Sequence, residues 1–391
     1  MSTHGRHPAW WMGCCVGLFL VSGTVVAADH LQDPDTVALN NMGVSAAQEG
    51  RWSTAAAYLR QAAALAPEDA QIRRSLSAVL TDWAVQVMQS GDVDEAAALL
   101  TEAADRDAEN GQAWLRLGDL QYVERHDFPA AIQAWRRARG HLSAEQERVL
   151  ADRLQRVERD AAIERGWPTY ETAHSYIRVQ GSTDAAMART VGDLLEAAYQ
   201  RLVPLTPSAP AKVSVIVYTD RTFARVSGGR DGALGLYDGR LRIRGDEVAT
   251  DRAAALVTHE LAHAFLRQAY GAHLPTWIHE GFAQAVEPDY ATGSRERTLR
   301  DDAAHQRQWI PLAWLDRHFQ QPTNAEDLWR AYAEARVVVA WLLKRYGAVP
   351  FTAFLQQLAQ GRPVEAAFDQ QFAPARWSRV NHGIWDGGGG S

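Results

Sequence analysis

Cysteine is nearly absent from this 391-residue chain, which has only Cys14 and Cys15, side by side near the N-terminus. No disulfide therefore helps to hold the fold beyond that point, although an oxidising compartment is tolerated. Lysine is as scarce: Lys212 and Lys344 are the only two among 40 basic residues. That arginine bias reads as genome composition. With no long basic run and a mild formal charge of -7, no nucleic-acid partner is expected. Long apolar runs are missing too, except for residues 10–26, which Gly13, Gly17 and Gly23 interrupt. Arg6 and His7 precede this run and Val25-Val26-Ala27-Ala28 closes it, the order of an export signal cut near Ala27. The run is at the short edge for a membrane span. Residues 1–27 are thus expected to be a cleaved signal, with an uncleaved anchor as the other reading. The expected destination is a bacterial periplasm, with no stable membrane span after cleavage. Cys14 lies early in the run rather than at its end, which argues against lipidation.

The length is large for one core and suggests two domains. Residues 35–147 are alanine-rich, helical in period and self-similar. The segments starting at Trp52, Val93 and Phe128 superpose at offsets of 41 and 35 residues, and each follows a short polar turn. Ala38–Gly43 and Ala113–Gly118 place a glycine at the same point of the preceding helix, and Pro67 ends the first unit. The pattern resembles a tetratricopeptide array of about three units, whose period is about 34 residues. The middle unit is irregular, because extra residues around Gln71 to Leu80 either lengthen its first helix or add a turn. Such arrays stack helical hairpins into a curved surface. Two readings stand, a groove that recruits a protein partner and a plain helical spacer. Residues 148–168 belong to a charged amphipathic helix that links this domain onward.

From residue 169 the composition changes. Ser175–Gln180 and Val213–Tyr218 read as strands, and Asp184–Leu202 as a helix between them. Asp238-Gly239 lies between two alternating segments, a hairpin signal. It predicts a small sheet with Leu241–Arg244 as its edge, which either guides an extended substrate or is an ordinary sheet edge. Helices are expected over 309–318, 324–347, 349–361 and 365–372. Residues 379–391 read as a flexible tail. The expected fold class is α+β: an all-α helical array, then a second domain over 169–378 made of a small sheet and helices.

The chemistry concentrates in Thr250–Glu287. His259-Glu260-Leu261-Ala262-His263 is an HExxH sequence, and two histidines four residues apart in a helix project from one face and can grip a metal. Sixteen residues intervene before Glu280, in Trp277-Ile278-His279-Glu280-Gly281-Phe282-Ala283. Glu280 is expected to be the third donor, leaving a fourth position for water. Glu260 then takes the proton of that water. His279, one position before Glu280, faces about 100° away on a helix and is not expected to bind. His273 is a rival ligand in the connecting loop. Glu287, two turns after Glu280, either accepts a proton from a ligand histidine or is a solvated helix-end carboxylate.

His259-Glu-Leu-Ala-His263 followed by Pro275-Thr-Trp-Ile-His-Glu280-Gly-Phe-Ala283 resembles the gluzincin metallopeptidases, most closely the peptidase MA-like group, loosely over residues 170–375. The resemblance implies a zincin-like domain, one catalytic zinc ion, peptide or protein substrates, and hydrolysis with no covalent intermediate. It also implies a donor to the oxyanion, for which Tyr332 in Trp329-Arg-Ala-Tyr332-Ala-Glu-Ala-Arg336 is the candidate, with Arg336 one turn later. Against this, Tyr332 can simply pack a helix, and Glu334 stands where many members have Gln. No Gly-x-Met-Glu-Asn sequence is present for a free amino terminus, which favours an endopeptidase over an aminopeptidase. A scaffold with little turnover remains the alternative class.

Overall fold

The computed structural model describes residues 34–382, apart from 91, 126, 182–184, 228–233, 272–273 and 289–309. The expected signal segment, the rival ligand His273 and residues 383–391 of the expected tail lie outside the described residues. The chain divides into two compact units, with the boundary between Arg165 and Gly166.

Among its described residues the first unit is a run of seven helices: α1 (Pro34–Gln48), α2 (Trp52–Leu65), α3 (Ala70–Ser90), α4 (Val93–Arg106), α5 (Gly111–Val123), α6 (Phe128–Ala138) and α7 (Ala144–Ile163). Local chemistry starts them: the side chains of Asp92, Asn110, Asp127 and Ser143 each accept the backbone N–H three residues on, filling an otherwise orphaned donor. The helices pair as α1 with α2, α3 with α4 and α5 with α6, and the first helices of successive pairs also touch one another. Glycine makes the pairing close. A Cβ on Gly43 would sit 2.6 Å from Leu59 Cγ, and one on Gly118 would sit 2.3 Å from Trp135 Cδ1. The extra residues of the middle unit go into α3, a single helix of 21 residues against 15 in α1 and 13 in α5.

The second unit holds a five-stranded sheet in the order β1-β2-β3-β5-β4, with β1 (Thr169–Glu171), β2 (Ser175–Val179), β3 (Val213–Tyr218), β4 (Gly235–Tyr237) and β5 (Leu241–Arg244). The three central strands are parallel, and β1 and β4 are antiparallel edges. Leu241–Arg244 is therefore not the edge expected from the hairpin signal. Gly239, at φ 97°, turns the chain so that β4 pairs on the outer side of β5. Arg242, fully buried, is held there by both Asp238 oxygens at 3.1 Å and by the Tyr218 hydroxyl at 2.8 Å.

One sheet face, with Ile177, Val179, Val215, Val217, Leu241 and Ile243, joins a single apolar core with helix α8 (Ala185–Leu202) and helix α10 (Ala253–Tyr270); the short helix α9 (Asp220–Val226) lies between them in sequence. Behind α10 come α11 (Thr276–Val286), α12 (Leu312–Gln320), α13 (Ala325–Tyr346), α14 (Ala348–Ala359), α15 (Val364–Gln371) and α16 (Trp377–Val380). Helix α10 thus touches the sheet strands and α11 alike. Residues 379–382, assigned to a tail from the sequence, are part of this packing. Val380 is buried, and the Asn381 side chain accepts the Ala313 N–H at 2.9 Å. Among the described residues no helix is long and apolar enough to cross a membrane.

Candidate metal centre

Helix α10 carries His259, Glu260 and His263. Arg252 precedes its first turn without a side-chain cap, and the chain turns into the helix at Thr250, whose hydroxyl accepts the Arg252 N–H at 3.3 Å and whose carbonyl accepts the Ala253 N–H at 3.2 Å. Its end is Gly271 at φ 71°, a left-handed turn that glycine adopts without strain. Pro275 then opens α11 and Glu287 closes it. Phe265 and Leu266 are fully buried and Leu256 partly so, so the apolar side of α10 turns inward while the histidines face α11.

The two helices bring three donors together. His259 Nε2 and His263 Nε2 are 3.3 Å apart, and Glu280 Oε2 lies 3.5 Å from the first and 3.8 Å from the second. Nitrogen ligands about 2.0–2.1 Å from a tetrahedral zinc ion stand about 3.3–3.4 Å from one another, so the His–His edge has the right length and the glutamate edges are slightly open. The donor set fits one divalent ion with a position left free. Among the described residues this is the one group of three His, Cys, Asp or Glu side chains so disposed. Each of the three side chains is 16–18 % exposed, so the centre is recessed yet reachable.

Glu287 meets the far side of His259: its Oε1 is 2.8 Å from Nδ1. The contact expected from helical spacing is present, but its geometry differs. Glu287 has left the helix, at φ -55° and ψ 137°, and reaches back from the extended residue after it. A carboxylate on Nδ1 fixes the ring so that Nε2 faces the other donors. Burial alone would lower the His259 pKa, but the carboxylates of Glu280 and Glu287 hold it well above its usual value. Burial pushes His263 down to about 3, against the pull of Glu280. Glu280 is lowered to about 2, because the two histidines outweigh its burial. Two of the three donors therefore already have free lone pairs, and a cation would displace the proton held by His259.

Glu260 is buried beside the edge strand. A Cβ on Gly235 would come 2.7 Å from Glu260 Oε1 and 2.9 Å from Leu256 Cδ1, so only glycine lets β4 pass so close. Sequence reasoning missed Gly235 as a site residue, although a glycine inside a strand is itself a signal of close approach. His279 lies nearer the centre than its helical angle suggested, with its ring centroid 5.9 Å from that of His263 and burial lowering its pKa to about 4; it is outside the donor group. Tyr332 is half-buried, with its ring edge-on to Phe319 at 4.9 Å. Asp316, which the sequence did not single out, accepts the Trp277 N–H at the start of α11, at 2.9 Å.

No curated protein matches the chain. Residues 241–374 match the family model described as Peptidase MA superfamily. The matched stretch contains all three donors with Glu260, Glu287 and Tyr332, but not β4. It is thus over residues 241–374 that the chain is similar to the Peptidase MA superfamily, as an MA-clan metallopeptidase-like domain.

Proposed function

We propose that the second unit is a zinc-dependent peptidase of gluzincin type, with endopeptidase action, and that His259, His263 and Glu280 are its metal ligands. The observation that carries this reading is the convergence of the three donor atoms from α10 and α11 with edges of 3.3–3.8 Å. Zinc held there supplies Lewis acidity, polarising a carbonyl and acidifying a water molecule. The chain's own residues do the rest. Glu260 receives the proton at its carboxylate and delivers it to the leaving nitrogen. Its burial against Gly235 keeps bulk water from that carboxylate. Glu287 orients His259. Strand β4, the last strand of the sheet among the described residues, is the edge on which an extended peptide can lie by main-chain pairing. Tyr332 is the proposed oxyanion donor, supported by the sequence resemblance and by its place on α13, which packs against α11.

The helical unit is proposed to be a tetratricopeptide array that recruits a protein partner or substrate; glycines at the hairpin crossings and the repeated N-caps support this. The charged start, apolar run and small-residue close of residues 1–27 support export. Both parts enter one experiment. The chain is expressed with its own N-terminus, recovered from the periplasmic fraction, and compared with Glu260→Gln on a peptide library and for bound zinc. The expected result is a mature chain starting near residue 28, with zinc in both proteins and cleavage by the wild type alone. Cleavage at wild-type rate by zinc-loaded Glu260→Gln would sink the peptidase reading, and absence of turnover in both would favour the scaffold.

A further inference from the structure

The helix that carries Glu280 starts without a cap of its own. Pro275 occupies the N-cap position and offers no side-chain acceptor. Among the first amides of α11, those of Ile278 and His279 donate to the Pro275 carbonyl at 3.0 and 3.2 Å, which leaves Thr276 and Trp277. The Trp277 amide is met from a different helix: Asp316 Oδ1 accepts the Trp277 N–H at 2.9 Å. Asp316 stands on α12, 39 positions further along the chain than Trp277. A carboxylate here satisfies a donor that would otherwise be orphaned and complements the positive end of the helix.

The consequence reaches the metal centre because Trp277 lies one helical turn before Glu280, so the amide that Asp316 holds and the Glu280 backbone belong to the same rigid turn. The other end of α11 is tied through Glu287 to His259. Midway, Gly281 is pressed on α13, where an added Cβ would be 2.5 Å from the Ala335 carbonyl oxygen. These two ties limit where the middle and the C-terminal end can go. The N-terminal turn is held by the buried Trp277 and Ile278 side chains and, at the backbone, by Asp316. Metal sites accept displacements of only about 0.2 Å in their ligand distances, so a loose first turn would be felt at Glu280.

We propose that Asp316 is a positioning residue for the metal centre, acting through the backbone amide of Trp277 to set Glu280 against His259 and His263. This rests on the reading of those three side chains as metal ligands. The test uses the full chain, with zinc affinity measured by chelator competition and the thermal unfolding of the metal-free protein measured beside it. Asp316→Ala is expected to weaken zinc binding about tenfold or more, the scale seen when groups behind metal ligands are removed. Asp316→Asn keeps an acceptor oxygen and is expected to bind zinc nearly as the wild type does. Leu315→Ala, a buried packing change on the same helix, is expected to lower the unfolding temperature while leaving zinc affinity unchanged. Zinc affinity undiminished in Asp316→Ala, or lost equally in Asp316→Asn, would overturn the proposal. Wild-type protein that takes up no zinc would overturn the metal reading instead, a result separable from either Asp316 outcome.

Discussion

Glu334 shows how a single carboxylate can set the pH response of this fold. It is 2 % exposed and accepts the Ile310 N–H at 2.8 Å, and burial pushes its pKa from 4.5 up to about 7 against that hydrogen bond and nearby Arg330. The folded state therefore keeps a proton that the unfolded chain loses. Its contribution to stability is fully present below pH 4.5 and is lost as the pH rises through about 7. Glu334→Gln is expected to stabilise the protein at pH 8 by on the order of 2 kcal/mol and to leave it little changed at pH 4. Thermal unfolding across that range checks this; an equal shift at both pH values would contradict it. At the same scale, the placing of His259, Glu260 and His263 on one helix was legible in the sequence, because it follows from their spacing. Gly235 and Asp316 were not, since each acts on a residue far away in sequence and only the packed fold shows the partner.

At the scale of elements, the site depends on how α10, α11 and α13 meet. The sequence indicated α10 and α11 through the HExxH spacing, the closing glycine and the opening proline. Strands β2 and β3 were legible as apolar runs. The position of β5 was not, because a hairpin signal says that two strands pair but not which one lies outside. Glu287 was reached by a helical-spacing argument, yet the contact exists because the helix ends before it. Next to Glu280, α11 and α13 meet closely at Gly281. Adding a methyl there meets the Ala335 backbone oxygen rather than a side chain that can turn away. Gly281→Ala is expected to force α11 and α13 apart, lower stability by about 1–3 kcal/mol and reduce zinc retention through the neighbouring Glu280. Unchanged stability and zinc content in this variant would show that the helices have slack.

For the whole molecule, chain length suggested two domains and the period of the apolar residues suggested that the first is helical. The change from helical repeats to mixed strands and helices near residue 169 is visible because hydrophobic periodicity changes there, and the compact units divide at residue 166. The matched family stretch begins at Leu241, after four strands, α8 and α9, so the sheet that supports α10 is built largely from chain outside it. No partner for the helical unit was legible in the sequence, because surface residues on helices are not constrained by packing. The central claim is that three side chains from two helices hold one metal ion. Metal analysis of the purified chain and of single variants tests it most directly. The expected result is one zinc per chain, lost in His259→Ala and Glu280→Ala and kept in His279→Ala. Zinc kept in Glu280→Ala and lost in His279→Ala would contradict it.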